Sequence, residues 1–125
     1  MRILVTGGRD YDDWEAIYQE LARYDHHDPK PTLVHGDCKT GADFLAAQIA
    51  HDLGWTLDPH PAKWHIYGDP AGPHRNEEMA HAECDVCIVF PGGKGTADME
   101  RRARRVGMAL ILVGDDETVT QSTLF

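Results

Sequence analysis

Val86-Cys87-Ile88-Val89-Phe90-Pro91-Gly92-Gly93-Lys94-Gly95-Thr96-Ala97-Asp98-Met99 is the stretch that decides the fold. Residues 86–90 form a short apolar run with the composition of a buried strand. Residues 99–106 read as a helix, and the pattern extends over 97–107. Three glycines and a threonine therefore fall at a strand-to-helix junction. Glycine allows a ligand to approach the backbone without meeting a Cβ. A helix N-terminus presents unpaired N–H groups and a partial positive charge. Together they make a seat for a phosphate. A lone Gly-Gly pair would be read as a tight turn. The string P-G-G-x-G-T in this position points instead to a phosphate or a nucleotide. It is not a Walker A loop, because Gly95 separates Lys94 from Thr96. The dinucleotide fingerprint G-x-G-x-x-G is also absent, and Gly7-Gly8-Arg9 is only a fragment of one.

Working outward, residues 2–6 form a β-branched run that ends at Gly7-Gly8 and reads as the first strand. Asp12-Asp13 opens a helix whose stripe is Trp14, Ile17, Tyr18, Leu21 and Ala22. Residues 25–31 are a polar connection, and 32–36 are the second strand. A second helix starts at Thr40-Gly41-Ala42-Asp43, with Phe44, Leu45, Ala47, Ile49 and Leu53 as its apolar face and Gly54 as its stop. Residues 55–59 are a weaker third strand. Residues 60–73 read as a long loop carrying Trp64 and Tyr67, of the kind that is often functional. A helix is predicted over 73–83, with proline in its first turn. Residues 84–90 and 108–113 supply the fourth and fifth strands. The domain is expected over 1–114, and 115–125 read as a polar tail with no clear element. Alternating strands and helices imply a single-domain α/β fold: a Rossmann-like, doubly wound, mostly parallel sheet of about five strands, in the order 3-2-1-4-5, with helices on both faces. Ligands bind such sheets beyond the carboxyl ends of the strands, where the order reverses, here between the first and fourth strands.

Bulk properties narrow the function. The chain has 125 residues, 42% hydrophobic and 26% charged, as expected for one soluble domain. Twelve basic residues against 21 acidic give a net charge of −9. That is not the footprint of a duplex-DNA binder, yet a few arginines and amides can still hold a small anion inside a cleft. No apolar run approaches the roughly 18 residues of a membrane span, and no secretory leader is evident, so the expected location is cytoplasmic. Cys38, Cys84 and Cys87 are expected to be free thiols. Cys84 and Cys87 form a C-x-x-C, but Cys87 lies inside an apolar run and no second pair exists, so no metal site is expected.

Four segments end on the cleft: Gly7-Gly8-Arg9, His35-Gly36-x-x-x-x-Gly41-Ala42-Asp43, Arg75-Asn76-x-x-Met79 and Pro91-Gly92-Gly93-x-Gly95-Thr96. In these motifs the chain resembles the SLOG superfamily, from residue 2 to about residue 113, and most of all its small stand-alone proteins from bacteria and phages. The superfamily includes the LOG-type phosphoribohydrolases, the molybdenum-cofactor carriers and nucleotide-sensing domains of prokaryotic defence systems. The resemblance implies a Rossmann-like fold that binds a nucleotide or nucleotide derivative, with the P-G-G-x-G-T amides on a phosphate. It also implies a homodimer or higher homo-oligomer. In the LOG type an arginine and a glutamate serve N-glycosidic cleavage. Arg75 matches that arginine, Asn76 replaces the usual lysine, and Met99 stands where the glutamate belongs. Asp98 and Glu100 flank that position, but helix neighbours point about 100° apart. Asp98 is the acid that could substitute.

Residue by residue, the alternatives are physical. Arg9 could fork onto a phosphate or carboxylate, or form a surface ion pair. Arg75, read as first-turn, opposes the helix dipole, which suggests either a bound anion or pairing with Glu78 or Asp69. Asp43 could cap its helix or accept a ribose hydroxyl. His35 could stack on a base or hold the Asp43 loop. Lys94 could neutralise phosphate or be solvated. Trp64 and Tyr67 could cover a base or pack down on the domain. The basic run Arg101, Arg102, Arg104 and Arg105 reads as a solvated face or a nucleic-acid patch, the latter against the overall charge. The expected function is binding of a nucleotide-derived small molecule, ADP-ribose-like or cyclic-nucleotide, as a sensor or sequestering protein without a cofactor. The alternative is a nucleoside-monophosphate phosphoribohydrolase using Arg75 and Asp98. A nucleic-acid module comes third.

Overall fold

The computed structural model describes residues 1–114 and the backbone of 119–122. The sheet has the order β3-β2-β1-β4-β5-β6. Its strands are β1 (Arg2–Thr6), β2 (Thr32–His35), β3 (Thr56–Pro59), β4 (Val86–Val89), β5 (Ala109–Val113) and β6 (Val119–Ser122). The first five run parallel in the order 3-2-1-4-5, and β6 joins β5 antiparallel. The sequence reading left 115–125 without an element, so β6 is an addition to it. Residues 115–118 and 123–125 lie outside the described residues.

Strand periodicity splits the core in two. Ile3, Val5, Val86, Ile88 and Phe90 face α1 (Trp14–Ala22) and α2 (Gly41–Asp52), meeting Ile17, Leu21, Ala46 and Ile49. Leu4, Cys87 and Val89 face the other way, against Met79 and Ala80 of α4 (Ala71–Ala80) and Met99 and Ala103 of α5 (Lys94–Arg105). Each large aliphatic side chain so buried contributes about 1.5–3 kcal/mol. The central strands β1 and β4 are covered on both faces, which explains why they read as continuous apolar runs rather than alternating ones.

The helix faces differ from the sequence reading. Asp13 caps α1 by accepting the Ala16 N–H at 3.1 Å. However, Trp14 and Tyr18 are exposed and stack on each other at 5.2 Å, while Ala16 and Glu20 take the buried positions. On α2, Phe44 is exposed and the buried face is built of Ala42, Asp43, Ala46, Ile49 and Ala50. Small residues there let α2 approach the sheet closely. Within the predicted loop 60–73 lies a short helix, α3 (Trp64–Tyr67), and α4 begins at Ala71, ahead of the predicted start at 73.

Candidate functional site

At the reversal between β1 and β4 the two glycine loops are joined backbone to backbone. Gly8 N–H donates to the Pro91 carbonyl at 2.8 Å. The Gly8 carbonyl accepts from Ala42 N–H at 3.1 Å, at the start of α2. These contacts leave no room for side chains. A Cβ on Gly92 would strike the Thr96 hydroxyl and lie 2.6 Å from the Gly8 nitrogen. Gly41 has φ +81°, and a Cβ there would hit the Gly8 carbonyl and the Arg9 backbone. Gly7 and Gly36 are likewise closed in by Ala42 and Phe90, and by Arg75 and Asp43. Gly93 and Gly95 are different: a Cβ at either would meet nothing within 4 Å. Those two glycines border open space.

That space is a cleft of about 610 Å³ at the carboxyl end of the sheet, within the size range of small-molecule sites. Gly7, Gly8 and Thr6 line one part of it, and the first turn of α5 another. The remaining lining comes from Arg9, Cys38, Asp43, Trp64 and Gly93, from α4, and from Asp98 and Arg101 further along α5. α5 starts at Lys94, three residues earlier than predicted, so Lys94, Gly95 and Thr96 form its first turn. Among the described residues no side chain caps α2, α4 or α5, and all three contribute early residues to the cleft, although the Ala42 N–H of α2 is already taken by the Gly8 carbonyl. The unpaired N–H groups of such ends favour an anion. Arg9, Arg75, Lys94 and Arg101 line the cleft against Asp43 and Asp98, four cations to two carboxylates in a chain of net charge −9.

Arg75 sits in the second turn of α4, because that helix starts early, so the dipole conflict read from the sequence is weaker than expected. It pairs with neither Glu78 nor Asp69. Nη1 donates to the Gly36 carbonyl at 2.8 Å and Nε to Asn76 Oδ1 at 2.9 Å. Asp43 does not cap its helix: its Oδ2 accepts the Gly36 N–H at 2.6 Å. Arg75 and Asp43 thus hold the C=O and the N–H of one residue, Gly36, and fix the loop after β2. Burial pushes the Asp43 carboxyl above its ordinary pKa, against the pull of the Gly36 amide and the Arg75 guanidinium. His35 is buried, with Nδ1 accepting the Asp37 N–H at 3.1 Å, and burial lowers its pKa, so it holds the loop as a neutral ring.

Asn76 and Asp98 form a second fastening. Asn76 Nδ2 donates to the Gly95 carbonyl at 3.2 Å and to Asp98 Oδ2 at 3.0 Å. Asp98 also accepts from Arg101 at 2.7 Å and from Arg102 at 2.9 Å, and Arg102 reaches Glu77 of α4 at 3.0 Å. Burial opposes ionisation of Asp98, but the bonds from Arg102 and Asn76 outweigh it and hold the carboxyl below its ordinary pKa. Its charge is shared with two guanidinium groups. Met99 is fully buried in the core beneath α5. A glutamate at this position would therefore enter the core rather than the cleft.

Arg9 is exposed and, among the described residues, has no carboxylate partner; its Cζ lies 5.7 Å from the Trp64 ring centroid. Lys94 is exposed at the start of α5 and also has no ion pair among the described residues. The basic residues of α5 are largely neutralised: Arg104 pairs with Glu100 at 3.0 Å, and Arg101 and Arg102 pair with Asp98. The thiols of Cys84 and Cys87 are free. Burial raises Cys84 to about 11 and Cys87 further, which leaves both protonated at neutral pH.

Of the residues singled out in the sequence, Gly7, Gly8, Arg9, Asp43, Arg75, Asn76, Gly93, Lys94, Gly95, Thr96 and Asp98 border the cleft. Gly36 lines an adjoining cavity of about 410 Å³, and His35 a separate groove beside α2. Gly41, Pro91 and Gly92 do not line the cleft and serve as close-packed or hydrogen-bonding backbone beside it. The sequence reading did not select Thr6, Cys38, Gly72, Pro73, Met79 and Arg101 as site residues. Cys38 lies inside the H-G-x-x-x-x-G-A-D segment, and Gly72 and Pro73 lie three and two residues before R-N-x-x-M, so nearby residues carried the signal.

Comparison with known proteins identifies a family and a relative. A family model described as YspA, cpYpsA-related SLOG family matches residues 1–67, just over half of the 125. "Gene 61 protein" of Mycobacterium phage D29 is 37% identical over 122 residues, covering 91% of this chain and 97% of the phage protein. No solved structure matches.

Proposed function

The chain belongs to the YspA, cpYpsA-related SLOG family, and from that premise we propose that it binds a nucleotide or nucleotide-derived small molecule in the cleft between β1 and β4, without turnover. The observation that carries this is the uncapped first turn of α5, with Gly93 and Gly95 open to the cleft and cations in local excess around it. A phosphate would accept from the first-turn amides, with Lys94 and Arg9 free to neutralise it. ADP-ribose-like and cyclic-nucleotide signals suit such a site, and the protein would act as a sensor or a sequestering protein. Mass spectrometry of the denatured, freshly purified protein tests this. A phosphorylated nucleoside should be released. A clean protein that also shows no calorimetric heat with nucleoside monophosphates would defeat the proposal.

A second reading is supported by the shared position of Arg75 and ionised Asp98 on the cleft wall. It is a phosphoribohydrolase that releases a free base, with Asp98 stabilising an oxocarbenium-like centre. Two arginines already occupy that carboxylate, which favours binding alone. Free base released from nucleoside monophosphates, and abolished by Asp98→Asn, would reverse the order of the two. We also propose a homodimer or higher homo-oligomer, from the family resemblance, to be checked by light scattering. No described helix is long and apolar enough to cross a membrane.

A further inference from the structure

Trp64 opens α3, a four-residue helix of which three residues are large and apolar, yet none of the four is buried. Trp64 is 47% exposed, Ile66 60% and Tyr67 45%. Scattered apolar residues on a surface need no explanation, but this helix is held without a core of its own. Two contacts fix it. Gly72 of α4 seats the indole: a Cβ at that position would lie 3.2 Å from the Trp64 ring, tighter than packing allows without a shift. Tyr67 stacks on His74 of α4 at 4.8 Å. The indole is thus positioned, not merely solvent-facing. It borders both the 610 Å³ cleft and the adjoining 410 Å³ cavity, together with Arg9, Cys38 and Arg75. Arg9 approaches its ring.

We propose, resting on the nucleotide reading of the cleft, that Trp64 is the platform on which the base of the ligand stacks, so that the site selects an aromatic base as well as a phosphate. The first turn of α5 and the indole line one cavity, so a phosphate at one and a base at the other are the two ends of a single ligand. A flat indole with half its surface open matches the π-face that every base presents. Apart from the approach of Arg9, such a surface stays open until a base arrives, which accounts for the exposure of Trp64. Arg9, next to both the ring and the cleft, can follow the base or the phosphate. Stacking carries little hydrogen-bond readout, so Trp64 favours base-bearing ligands over bare sugar phosphates and discriminates weakly among bases.

The test compares AMP, GMP, CMP and UMP with ribose 5-phosphate, which carries the phosphate and no base, on the wild type, Trp64→Phe and Trp64→Ala. At least one nucleotide should bind the wild type about 5- to 150-fold more tightly than ribose 5-phosphate, the range for one stacked base. Trp64→Ala should erase that ratio and leave ribose 5-phosphate affinity unchanged, and Trp64→Phe should keep most of it. Nucleotide binding should also quench tryptophan emission in the wild type, and the quenching should vanish in Trp64→Phe, which retains Trp14 and Trp55. An unchanged ratio in Trp64→Ala, or equal loss for both ligand types, overturns the platform while the phosphate site stands. If neither nucleotides nor ribose 5-phosphate bind the wild type, the nucleotide reading falls and the platform with it.

Discussion

At Gly41 a methyl group would run into the Gly8 carbonyl and the Arg9 backbone, and φ is +81°; at Gly93 the same methyl would meet nothing within 4 Å. Both letters stand in motifs that the sequence marked as nucleotide-binding, and nothing in the sequence distinguishes them. The distinction is tertiary: Gly41 lets α2 close onto the loop after β1, whereas Gly93 and Gly95 leave a surface for something else to fill. Two substitutions should separate these roles. Gly41→Ala should cost more than the roughly 1–3 kcal/mol of a non-glycine residue at positive φ, because the methyl also meets backbone atoms, seen as a lower urea midpoint. Gly93→Val should stay within about 1 kcal/mol of the wild type, since only the N-cap preference is lost, yet weaken nucleotide binding at least tenfold in calorimetry. A folded Gly93→Val with unchanged affinity would remove the phosphate from the first turn of α5. Asp43 shows the same limit of sequence reading. A helix cap and a loop clamp require the same residue type, and only the 2.6 Å bond from Gly36 identifies the clamp.

Among the elements, the five parallel strands and the starts of α1 and α2 were legible, and the starts of α4 and α5 were not. Gly95 and Thr96 have poor intrinsic helix propensity, so the sequence places the start of α5 later than it falls. Tertiary contact overrides propensity here, because Asn76 of α4 holds the Gly95 carbonyl and Asp98 at once. The clasp from Asn76 and Glu77 through Arg102 to Asp98 sets one wall of the cleft. Asp98→Asn should therefore lower stability by about 1 kcal/mol at neutral pH, a value held down because Arg101 is largely exposed. The native pKa of Asp98 lies below the 3.8 of the unfolded chain. Its contribution is thus complete above that value and is lost as pH falls through the native pKa. Urea unfolding of wild type and variant should differ at pH 7 and converge toward pH 3. A stability gap that stays the same at both pH values would show that the carboxylate charge does not hold the clasp. α3 escaped the sequence reading because four residues with no buried face carry no periodicity to detect.

Over the whole molecule, strand order and the meeting of two glycine loops could be read from the alternation of apolar runs with helical stripes, since right-handed crossovers leave few alternatives. The antiparallel β6 could not, because a polar tail gives no strand signal. Charge adds what topology does not. The chain carries −9 overall, while the cleft lining carries four cations against two carboxylates. A small anion reaching into the cleft feels the local excess, but a long polyanion must also lie along the acidic exterior. Raising the salt from about 50 mM to about 500 mM should accordingly weaken nucleoside-monophosphate binding several-fold, as screening shortens the reach of those cations to a few ångströms. Duplex DNA should give no mobility shift even at the low-salt end, where counterion release would favour it most. Calorimetry across the salt series and a gel-shift assay read the two arms. Tight, salt-sensitive DNA binding would mean that the arginines of α5, not the cleft, form the working surface, and that their pairing with Asp98 and Glu100 gives way to phosphate.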